Sequence, residues 1–229
     1  MTRLRLLQAA ALAGAAMLLV GAAPNWLATV ALDGTAHRIG NPEAKVRLTE
    51  YVSYTCPHCA EFNRAGEGAL QLGYIASGKI SVEVRHLIRD PVDLTVAVLA
   101  HCGPESKFPQ NHTAFLSGQA GWIGPLTTGT AAQQQRWRTP GATGRRAIAT
   151  DFGLYRIMER RGYTRAAVDR CLADDALVRR IVETSDKDWD RPGIDSTPSF
   201  AINGVVMPGT HTWPALSRQL DEFVRRAAS

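Results

Sequence analysis

The sequence predicts an α/β fold in which a long helical segment interrupts one small sheet. A strand, a helix and a second strand follow one another between residues 45 and 88, which is the order and spacing of a parallel βαβ unit. Near the carboxyl end, Asn203-Gly204 separates two short runs of strand-forming residues, which predicts a β-hairpin. Residues 91–193 show mostly helical periodicity. We therefore expect two halves of one core, residues 36–90 and 194–229, around a helical insertion.

Composition is typical of a globular protein. The 229 residues are 45% hydrophobic, and we find no repeat or low-complexity block. The formal net charge of +5, from 26 basic and 21 acidic residues, is too small and too scattered to favour nucleic-acid binding. We expect no nucleic-acid partner.

The amino terminus has the pattern of an export signal. Arg3 and Arg5 precede an apolar stretch whose uninterrupted core, residues 9–20, is 12 residues long. A membrane-spanning helix needs about 20 residues. We predict a signal peptide at residues 1–22, cleaved after Ala22, with a retained membrane anchor as the alternative. Export would place the protein in the periplasm, where disulfides persist.

Local patterns predict the elements of the core. Residues 23–35 are interpreted as a short lead-in without an assigned element. Residues 45–52 alternate as a strand, a helix is expected over 57–75, and a second strand over about 80–88. After the hairpin, four apolar residues at helical spacing predict a last helix: Leu216, Leu220, Phe223 and Val224.

Capping residues delimit the helices of the insertion. Asp90 and Pro91 predict the N-cap and the first residue of one helix. Thr164 predicts the N-cap of another helix, and Asp174 or the next residue predicts that of a third. The Gly- and Thr-rich segment 121–130 has no predicted element.

The chemistry concentrates at Cys56-Pro57-His58-Cys59. If Pro57 is the first helical residue, Cys56 is the N-cap, and its sulfur faces unpaired backbone donors and the positive end of the helix dipole. Both effects stabilise a thiolate, and His58 adds positive character. Cys59 lies about one helical turn later, close enough to form a disulfide. The pair can therefore alternate between dithiol and disulfide.

Two other interpretations of this pair are possible. Half of a zinc site would need two more ligands at matching spacing, and Cys102 and Cys171 stand alone, 69 positions apart. A purely structural bridge between residues this close would constrain the unfolded chain little. We expect neither a metal nor a bound cofactor.

Cys102 and Cys171 are predicted to form a structural disulfide inside the insertion. Each lies on an apolar helical face, and no third unpaired cysteine competes. Two separate buried thiols are the alternative.

Glu50 lies six residues before Cys56, on the otherwise apolar face of the first strand. Burial there would raise the pKa of its carboxyl group and suit it to carry the proton of Cys59. The alternative is a wet strand end or an ion pair. The other histidines show no ligand spacing and are interpreted as surface or core residues: His37, His86, His101, His112 and His211.

Two segments resemble a known family. Thr49-Glu50-Tyr51-Val52-Ser53-Tyr54-Thr55-Cys56-Pro57-His58-Cys59 resembles the active-site strand and helix start of DsbA-type thiol:disulfide oxidoreductases. Ser196-Thr197-Pro198-Ser199-Phe200 resembles that family's cis-proline loop. The resemblance implies a thioredoxin fold with a helical insertion domain and a cis bond before Pro198, packed against the cysteines. Thr197 stands where the best-known oxidase of the family has valine, and its hydroxyl could bind a thiolate.

The resemblance implies a periplasmic enzyme that donates its disulfide to unfolded exported proteins with cysteine pairs and is reoxidised by a membrane partner. We expect a monomeric oxidase. The first alternative is a disulfide isomerase or reductase of the same fold, which a membrane partner would keep reduced. The second is a copper-binding chaperone that holds Cu(I) through Cys56 and Cys59. Tyr54 and Trp213 are candidates for the substrate groove or, alternatively, for the core.

Overall fold

The computed structural model describes residues 24–228. The predicted signal peptide, residues 1–22, lies outside the described residues. Within 24–228, no helix is both long enough and apolar enough to cross a membrane.

One six-stranded mixed sheet forms the centre of the molecule, with the strand order β1-β2-β4-β3-β5-β6. Strands β3 and β4 are parallel and are joined through helix α1, which confirms the predicted βαβ unit. The other neighbouring strands pair antiparallel. The strands are β1 (Val30–Asp33), β2 (Ala36–Gly40), β3 (Val46–Val52), β4 (Ile80–His86), β5 (Ser199–Ile202) and β6 (Val205–Val206).

Residues 23–35, to which the sequence assigned no element, contain strand β1. β1 forms a hairpin with β2 across Gly34, which takes a φ of 64°, a value that favours glycine. β1 is a four-residue edge strand that is mostly exposed, so it carries little hydrophobic alternation. The Asp33-Gly34 dipeptide was the available turn signal.

Strand β3 lies in the middle of the sheet and carries the chain to the functional site. Leu48 and Val52 are fully buried on one face, and Tyr51 packs in a second apolar cluster on the other. Glu50 pairs in register with Val84 of β4 and Phe200 of β5. A carboxyl group is thereby fixed in the interior of the sheet.

The predicted helix starts are found where the capping residues stand. Asp90 accepts the backbone N–H of Asp93, Thr164 that of Ala167, and Asp174 that of Leu177. The α-helices are α1 (Pro57–Ala69), α2 (Pro91–Ala100), α3 (Phe108–Ser117), α4 (Gln119–Trp122), α5 (Pro125–Thr128), α6 (Ala131–Trp137), α7 (Ala142–Asp151), α8 (Leu154–Arg160), α9 (Arg165–Leu172), α10 (Asp175–Trp189) and α11 (Trp213–Ala228). Helix α1 continues as a π-helical segment, Leu70–Ile75, and a short 3-10 helix, Glu105–Lys107, precedes α3.

Segment 121–130, to which the sequence assigned no element, contains the end of α4 and all of α5. Each helix is four residues long, about one turn, so neither shows helical periodicity in the sequence. Thr130 then caps α6 in a capping box with Gln133. The segment is therefore ordered helix rather than an irregular loop.

The helical insertion does not have a separate core. One hydrophobic cluster runs from the sheet into helices α2 and α3 and includes Val82, Val96, Leu99 and Phe115. Cys102, after α2, is joined by a disulfide to Cys171 of α9, with 5.6 Å between the Cα atoms, as the sequence predicted. The insertion is thus packed continuously on the sheet and covalently closed on itself.

Four histidines meet where the sheet contacts the insertion, around the buried ring of Phe108. The Nε2 atoms of His86 and His101 lie 3.1 Å apart. Burial lowers the pKa of each ring: to about 3 for His37, to about 4 for His101 and His112, and well below the usual value for His86. These rings are therefore neutral in the folded protein.

Removing one of these histidines should make the protein less sensitive to acid. In the unfolded chain, His37 binds a proton below a pH of about 6.5, whereas in the folded protein it binds one only near its lowered pKa of about 3. Between these values the unfolded state binds more protons, so the free energy of unfolding decreases as the pH falls. Between about pH 6 and 4, we expect the free energy of unfolding of His37→Gln to decrease less steeply than that of the unmodified chain, by up to about 1.4 kcal/mol per pH unit.

The measurement is guanidinium unfolding of both proteins at pH 7, 5.5 and 4.5. The difference between the proteins is the relevant quantity, because the raised pKa values of Glu50 and Asp93 give the parent curve a contribution of opposite sign. A difference that does not change with pH would contradict the prediction.

Candidate functional site

The site is built where β3 ends and α1 begins. Cys56 is the N-cap of α1 with an extended backbone, φ −84° and ψ 120°, and Pro57 is the first helical residue. The sequence predicted this arrangement from the position of the proline. The first-turn N–H groups of α1 therefore point towards the Cys56 side chain.

The Cys56 sulfur is buried but stabilised as an anion. Its pKa falls to about 5, first because of a hydrogen bond from the Cys59 side chain, which outweighs the opposing effect of burial. The Thr197 side chain and the backbone N–H groups of Cys59 and His58 add hydrogen bonds that act in the same direction. Because of its low pKa, Cys56 is mostly a thiolate at neutral pH, and it is a good leaving group.

Cys59 behaves in the opposite way. It is completely buried, and burial raises the pKa of its thiol well above the usual value, with further contributions from the neighbouring Cys56 and Glu50. Both cysteines are free thiols in this structure. The pair is therefore asymmetric: one sulfur ionises and the other keeps its proton.

The side chain of His58 lies at the surface of the protein. It is 74% exposed, and its Nδ1 lies 3.7 Å from Glu61 Oε2. The backbone N–H of His58, rather than its ring, supports the thiolate.

The loop before β5 completes the site from far along the chain. The bond between Thr197 and Pro198 is cis, as the resemblance implied. In its protonated form, the Cys56 thiol donates to the Thr197 carbonyl oxygen at 3.1 Å. On the far side of the loop, His211 Nδ1 donates to the Pro198 carbonyl oxygen at 2.7 Å, because that oxygen can only accept. No sequence pattern indicated this role of His211.

Glu50 lies beneath the cysteines, 3% exposed. Burial, and then the charge of Glu67, raises the pKa of its carboxyl group to about 8. Both carboxylates line a cavity of about 460 Å³ between α1, the sheet and α3. Glu50 is therefore protonated at neutral pH and close enough to Cys59 to influence its ionisation.

Two aspartates hold the turn before Cys56. The sequence pattern indicates only a helix cap for Asp90 and no role for Asp93. Asp93 accepts hydrogen bonds from Ser53 Oγ at 2.6 Å and from the Tyr54 N–H at 2.7 Å. Asp90 accepts one from Thr55 Oγ1 at 2.6 Å. Burial raises the pKa of Asp93 to about 7.

The candidate groove residues divide into one core residue and one surface residue. Tyr54 is fully buried, and its hydroxyl lies 2.9 Å from His112 Nδ1. Trp213 instead lines an open cavity of about 590 Å³ beside the cysteines, together with Phe62, Thr197 and His211. The site therefore has a largely apolar groove on the side where the cis-proline loop meets α1.

The fold and the comparisons agree on the class of protein. The sheet, the helix that starts at Cys56 and the cis-proline loop form a thioredoxin-like fold with a helical insertion. A family model described as "Thioredoxin" matches residues 32–222. The chain belongs to this family.

Individual relatives narrow the comparison. A crystal structure described as a protein-disulfide isomerase from Novosphingobium aromaticivorans is 45% identical, with a TM-score of 0.81, and covers 84% of this chain and 99% of that one. Wolbachia pipientis alpha-DsbA1 shares the fold at 22% identity, with a TM-score of 0.66 over 83% of this chain and 92% of its own.

A curated Rickettsia typhi protein named "Putative protein-disulfide oxidoreductase" is 30% identical over 178 residues, 77% of this chain and 58% of that protein. The chain thus spans less than two thirds of the length of the curated relatives it matches. The family and the fold rest on these matches.

Substituting Thr197 should raise the pKa of the Cys56 thiol. Thr197→Val removes a hydroxyl of the same size as the methyl group that replaces it, and with it one hydrogen bond to the thiolate. Such a bond to a charged group contributes about 1.5–3 kcal/mol, which corresponds to roughly one to two pKa units. Thiolate absorbance at 240 nm, followed from pH 3 to 9, measures the shift.

Thr95→Val is the matched control, because Thr95 is also buried and its hydroxyl bonds only the Pro91 carbonyl among the residues that the structure describes. Identical titration curves for Thr197→Val and the unmodified chain would contradict the assignment.

Proposed function

We propose that the protein is an exported, periplasmic thiol:disulfide oxidoreductase that introduces disulfides into other proteins through Cys56 and Cys59. The observation that carries the proposal is the asymmetric cysteine pair at the start of α1: Cys56 has a pKa lowered to about 5, and Cys59 is buried with a raised one. The names of the Rickettsia and Novosphingobium relatives support the same chemistry.

In the oxidised enzyme, a thiolate of the substrate attacks the Cys56 sulfur. The bond between Cys56 and Cys59 breaks, and the bonding electron pair leaves on Cys59, which then takes up a proton. The second substrate thiolate attacks the substrate sulfur in this mixed disulfide, and Cys56 leaves as a thiolate. Two electrons have passed from the substrate to the cysteine pair, and the substrate has gained a disulfide.

The electrostatics of the site favour this direction. Cys56 is the leaving group in the second step, and thiols of low pKa leave faster. Because the folded protein stabilises the Cys56 thiolate, it stabilises the reduced enzyme, which makes the disulfide form more oxidising.

Glu50 supplies the proton for Cys59. With a pKa of about 8, the Glu50 carboxyl group is protonated at neutral pH. When the disulfide breaks, the Cys59 sulfur is fully buried, and burial makes a thiolate unfavourable there. Glu50 can donate a proton when Cys59 leaves and recover one when the enzyme is reoxidised. It acts as a general acid and then as a general base.

The groove beside the cysteines suits an unfolded polypeptide. Phe62 and Trp213 offer apolar surface, and the neighbouring cis-proline loop places the backbone of Thr197 next to the reactive sulfur. An extended substrate with an exposed cysteine would lie along this loop. We propose that the protein acts as a monomer, needs no cofactor besides its cysteine pair, and is reoxidised by a membrane partner.

A second candidate is a disulfide isomerase or reductase with the same site. Two observations favour it: the relative from Novosphingobium is described as an isomerase, and the Thr197 side chain hydrogen-bonds the Cys56 sulfur at the position where the best-known oxidase of the family has valine. Thiol trapping in cells distinguishes the two functions. A mostly oxidised Cys56–Cys59 pair indicates an oxidase, and a mostly reduced pair indicates the alternative.

Cysteine variants should separate the two steps of exchange. Cys56→Ser should abolish oxidation of a reduced, unfolded substrate, because the attacked sulfur is gone. Cys59→Ser, given a disulfide-bonded substrate, should instead accumulate a mixed disulfide between Cys56 and one substrate cysteine, because the resolving thiol is missing. Refolding of reduced ribonuclease and non-reducing gels measure the two results.

The double variant Cys102→Ser/Cys171→Ser is the control. It removes two cysteines outside the site and should lower thermal stability by up to about 4 kcal/mol on the chain-entropy model while the exchange rate at 20 °C stays close to that of the unmodified chain. Full oxidase activity in Cys56→Ser would overturn the proposed function.

A further inference from the structure

We infer that Gln119 is a positioning residue that holds the Cys56 sulfur against the first N–H groups of α1. This rests on the proposed role of Cys56 as the nucleophile. Gln119 is the first residue of α4 in the insertion and is 4% exposed. Its side-chain nitrogen donates to the carbonyl oxygen of Tyr54 at 2.7 Å and to that of Cys56 at 2.8 Å. A single side chain thus contacts the main chain on both sides of the active-site turn.

These carbonyl groups have few other partners. The Cys56 carbonyl also accepts the Ala60 N–H, but at 3.4 Å, which is long for the first bond of a helix. Within residues 24–228, the Tyr54 carbonyl has Gln119 as its hydrogen-bond partner and no other. A buried carbonyl group that loses its partner is unfavourable, so removing the Gln119 amide should destabilise the present conformation of the turn.

The opposite edge of the same turn is held by α2. The N–H of Tyr54 donates to Asp93, and the Tyr54 carbonyl accepts from Gln119. Helix α2 supplies the acceptor and helix α4 supplies the donor, so the insertion holds the main chain on both sides of Tyr54. The Cys56 N–H closes the turn on the Ser53 carbonyl oxygen at 3.3 Å.

The ionisation of Cys56 depends on that conformation. Its sulfur meets the N–H groups of His58 and Cys59 because the Cys56 backbone is extended at the N-cap position. Charge-assisted hydrogen bonds weaken steeply when distance or angle changes. Loss of Gln119 should allow the turn to relax and weaken these bonds, which raises the pKa of Cys56.

Other titratable groups around the sulfur stay in place in this experiment. They come from every element packed against Cys56: His58 and Cys59 from α1, Glu50 from β3, Asp93 from α2, and His211 after β6. Gln119 is itself uncharged. A shift in the titration of Cys56 on its substitution therefore reports geometry and not the removal of a charge.

The test replaces Gln119 by methionine, which has a similar length and no donor. Titration of the reduced protein at 240 nm should show the midpoint of Cys56 raised by about one unit, a tenfold decrease in its acid dissociation constant. The equilibrium constant with glutathione should move towards a more reducing enzyme by a similar factor.

Ser117→Ala is the matched control. Ser117 also joins the insertion to α1, through a 2.7 Å hydrogen bond from its hydroxyl to Asn63, but does not contact the turn. It should lower stability without moving the Cys56 midpoint. If Gln119→Met does not fold, Gln119→Asn keeps the amide but is one methylene too short to reach both carbonyls, and it should give the same direction of shift.

A midpoint that stays at the parent value in the Gln119 variants, with a loss of stability like that of Ser117→Ala, would overturn the inference. Failure of the proposed function has a different signature: the Cys56 thiol of the unmodified chain would itself titrate near the ordinary value of about 8.5.

Discussion

The hydrogen bonds between the Cys56 sulfur and its neighbours at the start of α1 are the interaction on which the site depends. A proline at the first helical position and a cysteine before it place the sulfur opposite donors that the helix cannot satisfy internally. With the hydrogen bond from the Cys59 side chain, which has the largest effect, these donors lower the pKa of Cys56. In the proposed exchange, this makes Cys56 the better leaving group, and the buried Glu50 carboxyl group holds the proton that Cys59 takes up.

The helical insertion contacts the turn before Cys56 although its residues lie far from Cys56 along the chain. It closes on itself through the disulfide between Cys102 and Cys171 and packs on the sheet in one continuous hydrophobic cluster. From this base it reaches the active-site turn with Asp93 on one side and Gln119 on the other. We propose that this support allows a short turn to hold a buried thiolate that is stabilised by hydrogen bonds and not by a cation.

Sequence reasoning succeeded where the determinant is local. The N-cap cysteine, the caps of α2, α9 and α10, and the Asn203-Gly204 hairpin each depend on residues within a few positions of one another. It failed where the partner is distant or the element is short: strand β1, the one-turn helix α4, and the contact between Gln119 and a turn 63 residues earlier.

The stability of the two redox forms as a function of pH tests the central claim most directly. A pKa lowered to about 5 stabilises the folded reduced form by about 2.7 kcal/mol at pH 7, against about 2 kcal/mol gained by the oxidised form from its short disulfide loop. The thiolate contribution is complete above the unfolded pKa and is lost as the pH falls through about 5. Denaturant melts should therefore show the reduced form gaining about 2 kcal/mol relative to the oxidised form between pH 5 and 7, and becoming the more stable form at pH 7. A difference that is constant over this range, or an oxidised form that stays the more stable at pH 7, would contradict the account.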